Sequence, residues 1–160
     1  MRLRPMTADD APELLRLHRA PGVAEWWGSP PPGFPDDDPS ATRYVIEDDG
    51  AVAGLVQYFE EPDPDYRHAM IDLFVDPERH GRGLGTQALR EMIGILVRER
   101  GHHRLTIDPA TANAAAIHVY GKVGFEPVGV LHRYERDHDG AGWHDCLLME
   151  YLADRPSGAG

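Results

Sequence analysis

The chain has 160 residues, 41% of them hydrophobic, enough for one domain with a single apolar core that needs neither disulfides nor metal to hold it. Its 27 acidic residues against 16 lysines and arginines give a formal charge of −11, which argues against the basic stripe that a nucleic acid or an anionic membrane requires and either suits cationic partners or serves solubility alone. Cys146 is the single cysteine, so no disulfide framework and no cysteine-based zinc site is expected. With no apolar leader and no membrane-length apolar run, the expected localisation is cytoplasmic.

Residues 2–6 alternate as a short strand. Thr7, with Asp10 three positions on, marks the N-cap of a helix over 8–19 whose inner face carries Leu14, Leu15, Leu17 and His18. A second short helix is expected at 22–27, and the proline- and glycine-rich segment 28–38 is a loop. Two strands over 43–47 and 51–59 flank Asp48-Asp49-Gly50, whose Asp-Gly step is a strong hairpin signal. The acidic tract 60–65 leads to a strand over 67–75, and a glycine turn then opens a helix that runs to about Arg100 with Leu84, Ala88, Met92, Ile95 and Leu96 at helical spacing. A strand at 104–107, a helix at 113–122 stopped by Gly124, and a strand pair at 125–132 and 143–152 around Asp139-Gly140 complete the chain. The expected unit is one domain over 1–153, followed by a disordered Pro/Gly/Ser tail at 154–160.

The order β-α-α-β-β-β-α-β-α-β-β predicts a mixed α/β fold, a sheet with helices on its faces. The chain's most specific feature is the turn His80-Gly81-Arg82-Gly83-Leu84-Gly85-Thr86 between a strand and a helix. Alternating glycines remove side chains there, so unpaired N–H groups of the next helix can point at a phosphate, aided by the positive end of the helix dipole. The turn follows a meander rather than a first βα unit, which excludes a dinucleotide fingerprint, and no Gly-Lys-Ser/Thr closes a Walker A loop.

These residues resemble the GCN5-related N-acetyltransferase superfamily, whose pyrophosphate loop reads Arg/Gln-x-x-Gly-x-Gly/Ala. Here His80 stands at the first position, and the segment from Asn113 through Tyr120 and Lys122 to Gly124-Phe125 is similar to the superfamily's second motif. The resemblance implies a mostly antiparallel twisted sheet of about seven strands with about four helices, and a splayed parallel strand pair that binds acetyl-CoA. It further implies a cofactor site of Phe74, Val75, His80, Gly81, Arg82, Gly83, Leu84, Gly85, Thr86, Asn113 and Lys122. Glu25-Trp26-Trp27-Gly28, Ile71-Asp72, Gly83-Leu-Gly-Thr86 and Thr106-Ile-Asp108-Pro109 resemble, more closely, the aminoglycoside 6'-N-acetyltransferases. Relatives of that group acylate lysine-derived siderophore precursors.

An amine must lose a proton before it attacks a thioester, and the departing thiolate must gain one. The resemblance makes Asp72 the base, which alternation places with Phe74 on one face of its strand; the bland alternative is an edge aspartate paired with an arginine or a backbone group. Tyr120, two turns after Asn113, is the implied acid; its alternative is packing against Phe125. Asn113 would touch the pantetheine arm or simply cap a helix. Trp26, Trp27, Asp72, Asp108 and Asp139 are candidates for the acceptor site, with one indole expected to be exposed and Asp139 favoured as a mere turn former. The acidic runs 36–38 and 60–65 either flank that site or are solvated loops.

Nine histidines show no ligand-spacing motif, so no metal is assigned, and Cys146 is read as a small core residue. The implied activity is acetyl transfer to an aminoglycoside amine, a small polycationic acceptor, by a monomer or homodimer that binds neither nucleic acid nor membrane. The alternatives are acylation of a siderophore-precursor lysine or of a protein or peptide amine, and a non-catalytic acyl-CoA sensor.

Overall fold

The computed structural model describes residues 1–154; residues 155–160 of the expected tail lie outside the described residues. Seven strands, β1 (Arg2–Pro5), β2 (Thr42–Asp48), β3 (Ala51–Glu60), β4 (Ala69–Val75), β5 (Arg104–Ile107), β6 (Glu126–Arg136) and β7 (Trp143–Leu152), form one sheet in the order β1-β2-β3-β4-β5-β7-β6. Every neighbouring pair is antiparallel except β4 and β5. Four α-helices cover it: α1 (Ala11–His18), α2 (Pro21–Trp27), α3 (Leu84–Gly94) and α4 (Ala114–Lys122).

The two faces hold separate apolar cores. Leu84, Ala88, Leu89, Met92 and Leu96, from α3 and the turn after it, pack with Phe125 against Ile71, Leu105 and Met149 of the sheet. On the opposite face Leu14, Leu17 and Val23 from α1 and α2 pack against Val45, Leu55 and Phe74. A strand buried on both faces reads as a nearly unbroken apolar run, which is why β3 shows little alternation. The meander turn is as the sequence dictates: Asp49 and Gly50 take φ of 52° and 76°, the two positive angles of a type I′ hairpin.

Three elements depart from expectation. The first helix enters through a 3-10 turn at Ala8–Asp10 before α1 begins. The helix expected to reach Arg100 stays α-helical only to Gly94 and then widens into a π turn at Ile95–Glu99, with the Arg100 amide donating to the Ile95 carbonyl at 3.0 Å. The third is β6, which runs on to Arg136 because a bulge between Leu131 and Glu135 lets it continue past His132. There Arg133 adopts φ 48°, and the Asp145 carboxylate holds the bulge by accepting from the Arg133 amide at 2.8 Å and lying 3.2 Å from His132 Nδ1.

The chain entry is held by Asp10. Its buried carboxylate accepts the Thr7 amide at 2.8 Å and both terminal guanidinium nitrogens of Arg4, each at 2.8 Å, which lowers its pKa to about 2. A depressed carboxylate stabilises the fold above its unfolded pKa near 4 and loses that contribution as the pH falls through about 2. Asp10→Asn is therefore expected to cost about 2 kcal/mol at pH 7 and almost nothing at pH 2, read from urea midpoints at the two pH values. An equal loss at both would show that packing, not the ion pair, sets the effect.

Candidate active site

The parallel strands β4 and β5 pair through only two positions, Ala69 with Leu105 and Met70 with Thr106. Beyond these the strands part, because β4 continues along β3 to Val75 while β5 ends at Ile107 and the chain leaves the sheet. The parting opens a cleft of about 1450 Å³ that runs from the glycine turn to the start of β6's distal half.

At one end of the cleft lies the turn. Gly81 and Gly83 take φ of 78° and 77°, and Gly83 is the N-cap of α3. A Cβ on Gly81 would meet nothing within 4 Å, so it is the left-handed backbone rather than crowding that calls for glycine. The first intrahelical bond runs from the Gln87 amide to the Gly83 carbonyl at 3.0 Å, leaving the amides of Leu84, Gly85 and Thr86 directed out of the helix end into the cleft. His80 lies against the strand, its Nε2 3.1 Å from the Val75 carbonyl oxygen, and lines the cleft with Gly81. Asn113 and Lys122 line the opposite wall from the two ends of α4.

Two expected donor-site residues have other engagements. Arg82 is turned away, 2.9 Å from Asp48 and 3.4 Å from Asp49 across the meander turn, and does not line the cleft. Phe74 lines it, but its ring is buried edge-on against Trp27 at 5.0 Å and His18 at 5.8 Å, so it serves the core as well. Asn113 does cap its helix, accepting the Ala116 amide at 3.1 Å; the capping and cleft-lining roles coexist because the cap sits at the cleft's edge.

The other end is acidic. Asp72 stands on β4 opposite Gln57 of β3, whose side-chain amide donates to it at 3.5 Å. Arg43 donates to the Gln57 carbonyl oxygen at 3.0 Å and so fixes which end of that amide faces Asp72. Desolvation first, and then the charges of Asp108 and Glu135, outweigh this one long hydrogen bond and push the Asp72 pKa up to about 7. The arginine partner considered for Asp72 is thus one residue removed, on Gln57.

Asp108 is also raised, mainly by burial, and accepts a hydrogen bond from the Tyr134 hydroxyl; Glu135 beside it opposes its ionisation. Tyr120 reaches the cleft from α4 with its ring 9% exposed and 6.4 Å from Phe125, so the packing alternative also describes it. Burial, then the charges of Asp72 and Asp108, hold its phenol well above the ordinary range, and it stays protonated at any physiological pH.

Gln57, Tyr134 and Glu135 were not singled out in the sequence. A glutamine inside the apolar run of β3 is a signal that could have been read, since a buried polar group needs a partner. Nothing local marks Tyr134 and Glu135, because the bulge at Arg133 resets which side chains of β6 face the cleft.

Trp26 and Trp27 line the cleft, both half-buried, so the expectation of one exposed indole is corrected: Trp27 packs on Phe74 and His18, and Trp26 stands in a wall shared with a neighbouring cavity. Asp139 lines that smaller cavity of about 430 Å³ rather than the cleft, and its carboxylate accepts the Ala141 amide at 2.8 Å within its own turn. Of the acidic runs, Asp37 reaches the cleft and pairs with Arg43 at 3.1 Å. Glu60 instead holds Arg100 at 2.6 Å and His102 at 2.7 Å and does not line it.

A split parallel pair in an otherwise antiparallel sheet, a glycine cradle at a helix start and a neutral-range carboxylate in the same cleft define an acyl transferase of the GNAT type. The chain belongs to the acetyltransferase (GNAT) family, whose pattern matches residues 7–125. It is similar to spermidine N(1)-acetyltransferase of Escherichia coli K12, with 29% identity over 141 residues covering 82% of this chain and 75% of the relative. It is also similar to aminoglycoside N(6')-acetyltransferase type 1 of Klebsiella pneumoniae, with 28% identity over 152 residues covering 81% and 75%. The solved structure of AAC(6')-Ib in complex with paromomycin and acetyl-CoA shares the fold, with a TM-score of 0.77 at 24% identity over 99% of this chain and 98% of that one.

Proposed function

We propose that this chain is an acetyl-CoA-dependent N-acetyltransferase of small polycationic amines, with the 6'-amine of an aminoglycoside as acceptor. The observation that carries the reading is the gathering of Asp72, Asp108 and Glu135 at one end of a cleft whose other end is a glycine cradle. Besides burial, Asp108 and Glu135 raise the pKa of Asp72 and Glu135 raises that of Asp108, and bound ammonium groups relieve that repulsion. An acceptor with several charges gains from each carboxylate that its reacting amine leaves free. The two relatives named above carry the names of a polyamine and an aminoglycoside, both polycations.

The amides of Leu84, Gly85 and Thr86 would hold the pyrophosphate of the donor, acetyl-CoA, and β4 and Asn113 would flank its arm. Asp72 accepts a proton from the acceptor ammonium. The freed amine attacks the thioester carbonyl carbon, a C–N bond forms, and the C–S bond breaks with its electron pair on sulfur. Tyr120 gives that sulfur its proton, the new amide nitrogen sheds its second proton to solvent, from which Tyr120 is reprotonated, and the proton held by Asp72 is released to bulk. No acyl-enzyme forms, and Cys146 is fully buried with its thiol pushed up to about 12, first by burial and then by Glu135, which leaves it no nucleophilic role.

Thiol release from acetyl-CoA is measured with kanamycin-type aminoglycosides, spermidine, a lysine derivative and a basic peptide. Turnover with aminoglycosides at the highest kcat/KM is expected. Preference for spermidine keeps the polycation reading and moves the acceptor; turnover only of the lysine derivative or peptide overturns it. Tight acetyl-CoA binding with no acceptor at all would identify a sensor.

Asp108→Asn removes one acceptor charge and one of the two charges that raise Asp72. The expected result is a KM for the polycation raised about tenfold, as for loss of one charge-assisted hydrogen bond, and an acidic limb of the pH profile moved to lower pH. An unchanged KM would place the acceptor elsewhere.

A further inference from the structure

Behind the acidic end of the cleft, three donor atoms of different chemistry converge across the β6–β7 hairpin. His144 and Cys146 lie two apart on β7, and Glu135 is the cross-strand partner of His144, so all three can share one face. Glu135 Oε2 lies 3.3 Å from His144 Nε2 and 3.5 Å from Cys146 Sγ, and the three ligand atoms all lie within 4.8 Å of one another. Ligands at about 2.0–2.3 Å from a tetrahedral ion are about 3.3–3.8 Å apart, which the two spacings from Glu135 already match.

The histidine is already oriented. Its Nδ1 lies 3.0 Å from the Asp137 carboxylate, a contact that would hold a proton on Nδ1 and free Nε2 to ligate an ion beside Glu135. Acetyl transfer as proposed uses Glu135 but neither His144 nor Cys146, and an imidazole held between two carboxylates beside a buried thiol is poorly explained by packing alone.

We propose that Glu135, His144 and Cys146 form a Zn²⁺ site. A thiolate and a carboxylate together balance the charge of the ion, and the S/N/O donor set suits zinc, not calcium or magnesium. Binding forms one Zn–S, one Zn–N and one Zn–O bond, releases the thiol proton to solvent and changes no oxidation state. Glu135 lines the main cleft and His144 the smaller cavity, so the fourth position opens on the wall between them. The ion would clamp the hairpin across the bulge at Arg133. The assignment of no metal from the sequence rested on known ligand spacings; a pair two apart on a strand, completed from its neighbour, does not match them.

Cobalt serves as the probe, added to reduced, metal-stripped, tag-free full-length protein and then displaced with zinc. One equivalent should bind, with a near-ultraviolet thiolate-to-cobalt charge-transfer band that zinc abolishes. Cys146→Ala should lose the band, and His144→Ala and Glu135→Gln should weaken cobalt binding at least tenfold. Asp137→Asn, which leaves every ligand in place, should weaken it ten- to a hundredfold through the imidazole. Because Cys146 is fully buried, the half-exposed His144 keeps the test independent of core damage. Absence of the band at one equivalent, or a band and affinity untouched by His144→Ala, overturns the proposal.

Discussion

Asp72→Asn is expected to lower kcat by about 10²–10⁴-fold, the range that a positioned general base contributes, while the KM for acetyl-CoA stays within a few-fold. In the native enzyme kcat/KM should rise with pH and level off above about 7, because the carboxylate accepts a proton only once it has lost its own. That limb should vanish in the asparagine variant.

The same substitution should make the protein more stable. A carboxylic acid whose folded pKa is raised from 3.8 to about 7 favours the fold most when protonated. Its contribution is complete below pH 4 and is lost as the pH rises through about 7, so ionised Asp72 costs on the order of a few kcal/mol at pH 8. Asparagine keeps the shape and carries no charge. Thermal melts at pH 4 and pH 8 should show the variant's gain over the native chain small at the lower pH and much larger at the higher. A slow variant with no gain at pH 8 would mean that Asp72 is not desolvated in solution, and the base assignment would lose its physical ground. Stability given up at a working residue is a common trade in active sites.

Tyr120→Phe is expected to reduce kcat with acetyl-CoA by about a hundredfold or more, with the pH limb near 7 intact. The phenol is held protonated by burial and by the negative charge of Asp72 and Asp108, so it is an acid without a visible titration in the working range. Its contribution depends on how badly the leaving thiolate needs a proton. An acetyl thioester of a strongly acidic aromatic thiol should therefore restore most of the lost rate in Tyr120→Phe and none of it in Asp72→Asn. Equal rescue of both variants, or of neither, would remove Tyr120 from the acid role and leave it as the core residue its contact with Phe125 also makes it. Because the ring is retained, the stability change should be small beside the change in rate.

The glycine turn and the helix starts beside the cleft were legible in the sequence, and the reason is their locality. A left-handed turn, a helix start and a cap are set by residues adjacent in the chain, so Gly81, Gly83 and Asn113 report their own geometry. Even there the side chains escaped: Arg82 sits in the right loop but is drawn off by Asp48 and Asp49, which come from a hairpin far away in sequence. The order of strands and helices, the type I′ turn at Asp49-Gly50 and the split parallel pair likewise followed from pattern and resemblance.

What only the tertiary structure decided is the acceptor end. Asp72, Gln57, Asp108 and Glu135 come from β4, β3, the exit of β5 and β6, and no spacing along the chain records their meeting. A single left-handed residue at Arg133 resets which side chains of β6 face the cleft, and a period-2 reading carried through a bulge assigns them to the wrong side. A pKa is still less local, since desolvation and the charges of distant carboxylates set it. The sequence thus determined the glycine turn at one end of the cleft, because hydrogen-bonding geometry is short-ranged, while the folded chain alone decided the electrostatics of its acidic end.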